Sequence, residues 1–152
     1  MSCADIMLKN PPTLRVDDTV GAAAARLIDG KHISLPVVGA DGRYMGMFGI
    51  TDLLGILVPR VALAGNLAPN VRFIEDDPAA LRKQFVELRS RHVGEFADRG
   101  AATLAPDMPQ IEAIRLFCRS HTPLAVVEPH ARTVVGVLSF WDAMKPVSGS
   151  AA

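Results

Sequence analysis

One order of apolar and polar segments runs along this chain, and it runs twice. In the first pass Thr13 to Val16 predicts a short strand, and Asp17-Asp18-Thr19 supplies side-chain oxygens suited to a helix N-cap. Val20, Ala24, Leu27 and Ile28 then recur at helical spacing as one apolar stripe, with Gly30 predicted to end the helix. Leu35-Pro36-Val37-Val38 reads as a buried strand, Ala40-Asp41-Gly42-Arg43 as a hairpin turn, and Tyr44 to Phe48 as the returning strand. A short helix from Thr51 to Leu57 is expected to stop before Pro59.

The second pass follows the same order: a strand from Ala102 to Ala105, a helix from Pro109 to Arg119, strands Leu124 to Val127 and Thr133 to Leu138, and a helix near Phe140 to Met144. Pro109 suits a first helical turn, where its missing N–H has no partner in any case. Asp18, Ala24, Arg26, Leu27, His32, Leu35, Val37 and Val38 reappear 89 positions on as Asp107, Ala113, Arg115, Leu116, His121, Leu124, Val126 and Val127. After one extra loop residue the offset is 90, and Gly46 and Asp52 reappear as Gly136 and Asp142. Such self-similarity predicts an α+β chain made of two βαββα units.

Arg60 to about His92 matches neither copy. Asn66, Pro69 and Asn70 suggest a loop, and Asp77-Pro78 opens a helix with Leu81, Phe85 and Leu88 on one stripe. Arg82, Lys83, Arg89 and Arg91 read as its solvated face, with a partner-docking surface as the alternative. The resulting division is a first unit over 1–60, a linker with one helix over 61–92, a second unit over 93–147, and a small polar tail over 148–152 expected to be disordered.

Composition fits this organisation. A chain of 152 residues with 49% hydrophobic and 21% charged side chains is globular, and two half-size units would bury too little surface unless they packed together. Sixteen basic and sixteen acidic residues cancel, which disfavours nucleic acid as a partner except through a local basic helix around Arg82 to Arg91. Cys3 and Cys118 form no CxxC and give no zinc signature, as expected for a reducing compartment. Cys118, with Ile111, Ile114 and Phe117, reads as core. His32, His92, His121 and His130 lack metal-ligand spacing. No GxGxxG follows a strand, and no nucleophile stands with a base, so an enzyme is not expected. With no apolar leader and no run near the roughly 18 apolar residues of a membrane span, a soluble, cytoplasmic protein is expected.

Leu35-Pro36-Val37-Val38, the Asp-Gly turn, and Gly46 followed by Asp52 resemble the core of a cystathionine-β-synthase-type (CBS) domain. Leu124-Ala125-Val126-Val127 and Gly136-Val137-Leu138-Ser139-Phe140-Trp141-Asp142 are similar to the same pattern, as are the lead-ins Ala4-Asp5-Ile6-Met7 and Val93-Gly94-Glu95-Phe96. The resemblance implies a stand-alone CBS pair, a Bateman module, whose units pack through their sheets about a pseudo-twofold axis. It further implies a flat homodimer that senses AMP, ADP, ATP or S-adenosylmethionine, with no obligatory cofactor, and signals to an enzyme, channel or transporter in trans.

A nucleotide requires phosphate donors, an acceptor for ribose hydroxyls and an apolar slot for the base. Helix N-termini offer unpaired N–H groups to an anion. Ser139 begins such a helix, Asp142 can accept from two vicinal hydroxyls, and the family uses Ser or Thr and Asp there. Ser139-x-x-Asp142 is equally a capping-box pair serving its own helix, and both readings stand. In the first copy Gly49 replaces the expected Ser or Thr and Thr51 lies next to Asp52, so a weaker site is expected whose backbone N–H groups stay open to an anion. Family geometry places His32, Ile33, Pro12 and Thr13 opposite Asp142, and His121 and Thr122 opposite Asp52. Each histidine can instead bond a carbonyl at the end of its helix. Trp141 can stack on a ligand or serve packing or an interface. Gly49, and Ala125 in place of Pro, favour the alternative of a dimerisation module with degenerate pockets.

Overall fold

The computed structural model describes residues 1–58 and 78–149. The loop expected around Asn66, Pro69 and Asn70, the cap at Asp77 and the tail from Ser150 lie outside the described residues.

Each repeat takes the order of elements that its pattern predicts. Strand β2 (Leu14–Arg15) leads to helix α1 (Val20–Asp29), which Thr19 caps by accepting from the Ala22 N–H at 3.1 Å. Strands β3 (Ser34–Val38) and β4 (Tyr44–Gly49) form an antiparallel pair, followed by α2 (Ile50–Leu57). In the second repeat β5 (Thr103–Leu104), α4 (Gln110–Ser120), β6 (Leu124–Val127), β7 (Val134–Leu138) and α5 (Phe140–Ser148) take the same order. Val37 lies opposite Gly46 and Val126 opposite Gly136, and each hairpin shifts register at the next residue. The residue that moves the repeat offset from 89 to 90 therefore sits in the second hairpin loop, between Val127 and Val134. Helix α3 (Pro78–Leu88) joins the repeats and packs Phe85 against the first core.

The lead-ins cross over. A 3-10 turn at Cys3–Asp5 and strand β1 (Leu8–Lys9) precede the first repeat in sequence but pack on the second. Cys3 is wholly buried with Leu104, Phe117 and Leu138, and β1 pairs antiparallel with β7. In return, the turn at Val93–Glu95 buries Val93 among Leu14, Leu27 and Phe48 of the first core. Backbone bonds fix both crossings: Cys3 N to Met108 O at 2.8 Å and Ala4 N to Pro106 O at 2.9 Å on one side, Val93 N to Asp18 O at 2.8 Å and Gly94 N to Val16 O at 3.0 Å on the other. The sheets are thus β2-β3-β4 and β1-β7-β6-β5, and Met47 bridges Asp98 where the first sheet meets its own visiting segment. Glycine is required at Gly46, whose φ is +153° and where a Cβ would lie 2.7 Å from the Asp98 carbonyl oxygen.

The two sheets meet through Tyr44, Met47, Ala125 and Val127, with the Tyr44 N–H donating to the Arg132 carbonyl at 2.8 Å. Ala125 is fully buried at this contact, opposite Val137 in its own sheet. Among the described residues the Tyr44 hydroxyl is buried without a hydrogen-bond partner, and burial, helped by Asp98, pushes its pKa up to about 12. A buried hydroxyl without a partner costs about 1–3 kcal/mol. Tyr44→Phe is therefore expected to raise the urea midpoint by an amount equivalent to about 1 kcal/mol. A lowered midpoint would mean that the hydroxyl has found a partner in solution.

Several sequence expectations need correction. Ile28 is not on the buried face of α1, which consists of Val20, Ala23, Ala24 and Leu27. Cys118 is exposed, because the buried face of α4 is Ala113 and Phe117 while Ile111 and Cys118, two turns apart, share the outer face. Pro109 precedes α4 with extended backbone (ψ 141°) instead of opening its first turn. Helix α5 continues through Pro146 to Ser148, so Ser148 is helical, with Gly149 turning left-handed behind it.

Candidate functional site

A solvent-open cleft with a cavity volume of about 200 Å³ lies where three pieces of chain converge. Lys31, His32, Ile33 and Ser34 come from the first repeat, where α1 hands over to β3. The second repeat contributes Pro123, Val137, Ser139, Trp141 and Asp142 around the start of α5. Leu8, Pro11 and Pro12, from the crossing N-terminal segment, close the remaining side.

Local sequence explains each approach. Helix α1 makes its last helical bond from the Gly30 N–H to the Arg26 carbonyl at 3.1 Å and ends where Lys31 turns left-handed at φ 53°. The His32 N–H closes the end on the Leu27 carbonyl at 2.9 Å. It is therefore the backbone of His32 that bonds the helix-end carbonyl. His121 likewise bonds the Phe117 carbonyl by its N–H, at 3.1 Å.

At α5 the capping box is formed. The Asp142 N–H reaches Ser139 Oγ at 3.4 Å, while Asp142 Oδ2 accepts from the Ser139 N–H at 3.0 Å and from its hydroxyl at 2.7 Å. Asp142 is 7% exposed, and its Oδ1 lies 3.6 Å from Lys145 Nζ. Capping thus occupies one carboxylate oxygen, and Oδ1 keeps lone pairs for a hydroxyl. No hydrogen bond among the described residues engages the N–H groups of Phe140 or Trp141 at the head of α5. Unpaired N–H groups at a helix head suit an anion. The Trp141 ring is 80% exposed on the rim, so within the chain it does not serve packing.

Pro12, His32, Ile33, Ser139 and Asp142 are thereby brought to one cleft. Thr13 stands just outside, its carbonyl accepting from the Arg26 guanidinium. Sequence reasoning did not single out Lys31, Leu8, Pro11 or Pro123. A lysine after a helix-ending glycine reads as a solvated partner of the helix dipole, and the crossing of Leu8 and Pro11 to the other repeat has no local signal.

Around Asp52 the geometry differs. The Gly49 N–H donates to Asp52 Oδ2 at 2.8 Å, and the Ile50 N–H donates to the Ile33 carbonyl at 2.9 Å. At the head of α2 the N–H groups of Gly49 and Ile50 are thus engaged, and no hydrogen bond among the described residues engages that of Thr51. A Cβ at Gly49 would sit 2.5 Å from that same Ile33 carbonyl oxygen, so a serine cannot occupy the position without a shift of backbone. Burial raises the Asp52 pKa, opposed by the bond from Gly49 and reinforced by Asp98. No hydrogen bond or ion pair among the described residues joins Gly49, Thr51 or Asp52 to His121 or Thr122.

Residues 3–59 match the family model of the CBS domain. No curated protein matches the sequence. The chain is similar in fold to the CBS-pair protein CBSX2 from Arabidopsis thaliana, with TM-score 0.78, 16% identity and 97% and 94% of the two chains covered. A second CBSX2 structure, described as a complex with AMP, gives TM-score 0.72 at 16% identity, covering 97% of this chain and 96% of that one. A CBS domain-containing protein of unknown function from Bacillus anthracis gives TM-score 0.77 at 13% identity, covering 99% and 95%.

Proposed function

Given that residues 3–59 are a CBS domain and that the chain folds as a CBS pair, we propose that the protein is a regulatory module whose cleft beside Asp142 binds an adenosine-containing ligand. One observation carries this reading: Ser139, Asp142, His32, Ile33 and Pro12, which the resemblance to the CBS pattern assigns to that role, line a single cleft between the repeats. The head of α5 receives the phosphate, Asp142 Oδ1 accepts from the ribose, and Ile33, Pro12 and Trp141 flank the base. Similarity to a CBSX2 structure described as an AMP complex supports a nucleotide as the ligand. The module works in the cytoplasm as a homodimer without catalysing a reaction, and its ligand state is read by an enzyme, channel or transporter. Exposed Ile111, Phe140, Met144 and Val147 on α4 and α5 support a dimer contact. Among the described residues no helix is long and apolar enough to cross a membrane.

A second reading, a dimerisation module with degenerate pockets, is favoured at the other end by the blocked Gly49 position alone. Isothermal titration of the full chain with AMP, ATP and S-adenosylmethionine separates the two. Saturable heat with at least one ligand, at clearly weakened affinity in Asp142→Ala, is the expected result. Absence of heat with all three, in a protein that still dimerises, would establish the second reading instead.

A further inference from the structure

Building on the proposed adenosine site, we infer that Lys31 makes the cleft select phosphorylated adenosine ligands and turn away a sulfonium ligand such as S-adenosylmethionine. The charges lining the cleft are unequally partnered: Asp142 is its carboxylate and Lys31 its ammonium. Asp142 is already compensated, by the Ser139 N–H at 3.0 Å, the Ser139 hydroxyl at 2.7 Å and Lys145 Nζ at 3.6 Å. Lys31 enters no ion pair among the described residues. The head of α5, whose Ser139 and Trp141 also line the cleft, adds the positive end of its dipole. A phosphate entering this space meets the unpaired Lys31, whereas the sulfonium of S-adenosylmethionine meets the same charge while the carboxylate of Asp142 already has Ser139 and Lys145 as partners.

The placement of Lys31 is specific to this cleft. Its backbone is left-handed at φ 53°, a conformation that glycine would adopt more readily, and its N–H is tied to the Ile28 carbonyl at 3.2 Å. The side chain therefore starts from a fixed point on the rim. In the second repeat the same position is Ser120, the last residue of α4, so the charge is not a general property of the repeat.

Titration of the full chain with adenosine, AMP and S-adenosylmethionine tests the inference, read by fluorescence of Trp141, the single tryptophan, and by calorimetry. In the wild-type protein AMP is expected to bind about tenfold or more tightly than adenosine, and S-adenosylmethionine no more tightly than adenosine. Lys31→Met should lose about tenfold more affinity for AMP than for adenosine and weaken the salt dependence of AMP binding. S-adenosylmethionine binding as tightly as AMP, or an AMP-to-adenosine ratio unchanged in the variant, would overturn the selectivity while leaving the adenosine site standing. Binding of none of the three would remove that site and the selectivity together. Should Lys31→Met fail to fold, the wild-type order of the three ligands decides.

Discussion

Asp142→Ala is expected to weaken ligand binding by about ten- to a hundredfold, the worth of hydrogen bonds to a charged acceptor. The same substitution removes the acceptor for the Ser139 N–H and hydroxyl, and with it the reciprocal half of the cap on α5. Loss of such a cap costs about 1–2 kcal/mol, so a lower melting temperature accompanies the lost affinity. Asp142→Asn separates the two effects. Its amide oxygen still accepts from the Ser139 N–H, so stability should stay near that of the wild type. Its charge is gone, so the vicinal hydroxyls lose their strong acceptor and affinity should fall nearly as far as in the alanine variant. Asp52→Ala is expected to cost stability, because Asp52 accepts from the Gly49 N–H, yet to change affinity less than Asp142→Ala. Titration and thermal melting of the three variants check this order. A larger affinity loss at Asp52 would reverse the ranking of the two sites.

What the sequence made legible follows from what each feature depends on. Strand register and the hairpin insertion depend on neighbours a few residues apart, and the offset of 89 becoming 90 located the extra residue in the loop where the structure has it, between Val127 and Val134. The capping box at Ser139 and Asp142 is likewise local, and both side chains make the bonds that their spacing suggests. Helix faces were harder to read. Ile111 and Cys118 are apolar and lie two turns apart, so periodicity alone assigns them to the core, whereas the small Ala113 marks the side that approaches the sheet. Gly49 shows a further limit: the sequence reveals a missing hydroxyl but not the Ile33 carbonyl that occupies its space. Least legible was the crossing of the lead-ins. Cys3 and Val93 look alike from either side of the exchange, and only three-dimensional pairing decides which core each one joins.

That crossing makes the location of damage run against sequence order. Removing residues 1–9 takes away the buried Cys3, the cover of Ile6 and Met7, the bonds to Met108 and Pro106, and the pairing of β1 with β7. The summed loss of apolar burial and backbone hydrogen bonds is about 3–5 kcal/mol. It falls on the second repeat, more than a hundred residues away in sequence. Native-state hydrogen exchange should show amides of Leu124–Val127 and Val134–Leu138 losing about a hundredfold more protection than those of Leu35–Val38. Val93→Ala gives the mirror image: this fully buried residue precedes the second repeat but fills the core of the first. About 2 kcal/mol should be lost there, sensed first at Leu35–Val38 and Tyr44–Phe48. Equal loss in both sheets for both variants would show that the contact through Tyr44, Met47, Ala125 and Val127 makes the repeats a single cooperative unit. Because Leu8, Pro11 and Pro12 belong to the same segment that closes the cleft, the 1–9 deletion should also lower affinity without touching Ser139 or Asp142. The segment that completes the second core is thus also a wall of the ligand site, and filling the cleft should hold that segment in place and slow exchange at Leu8 and Lys9.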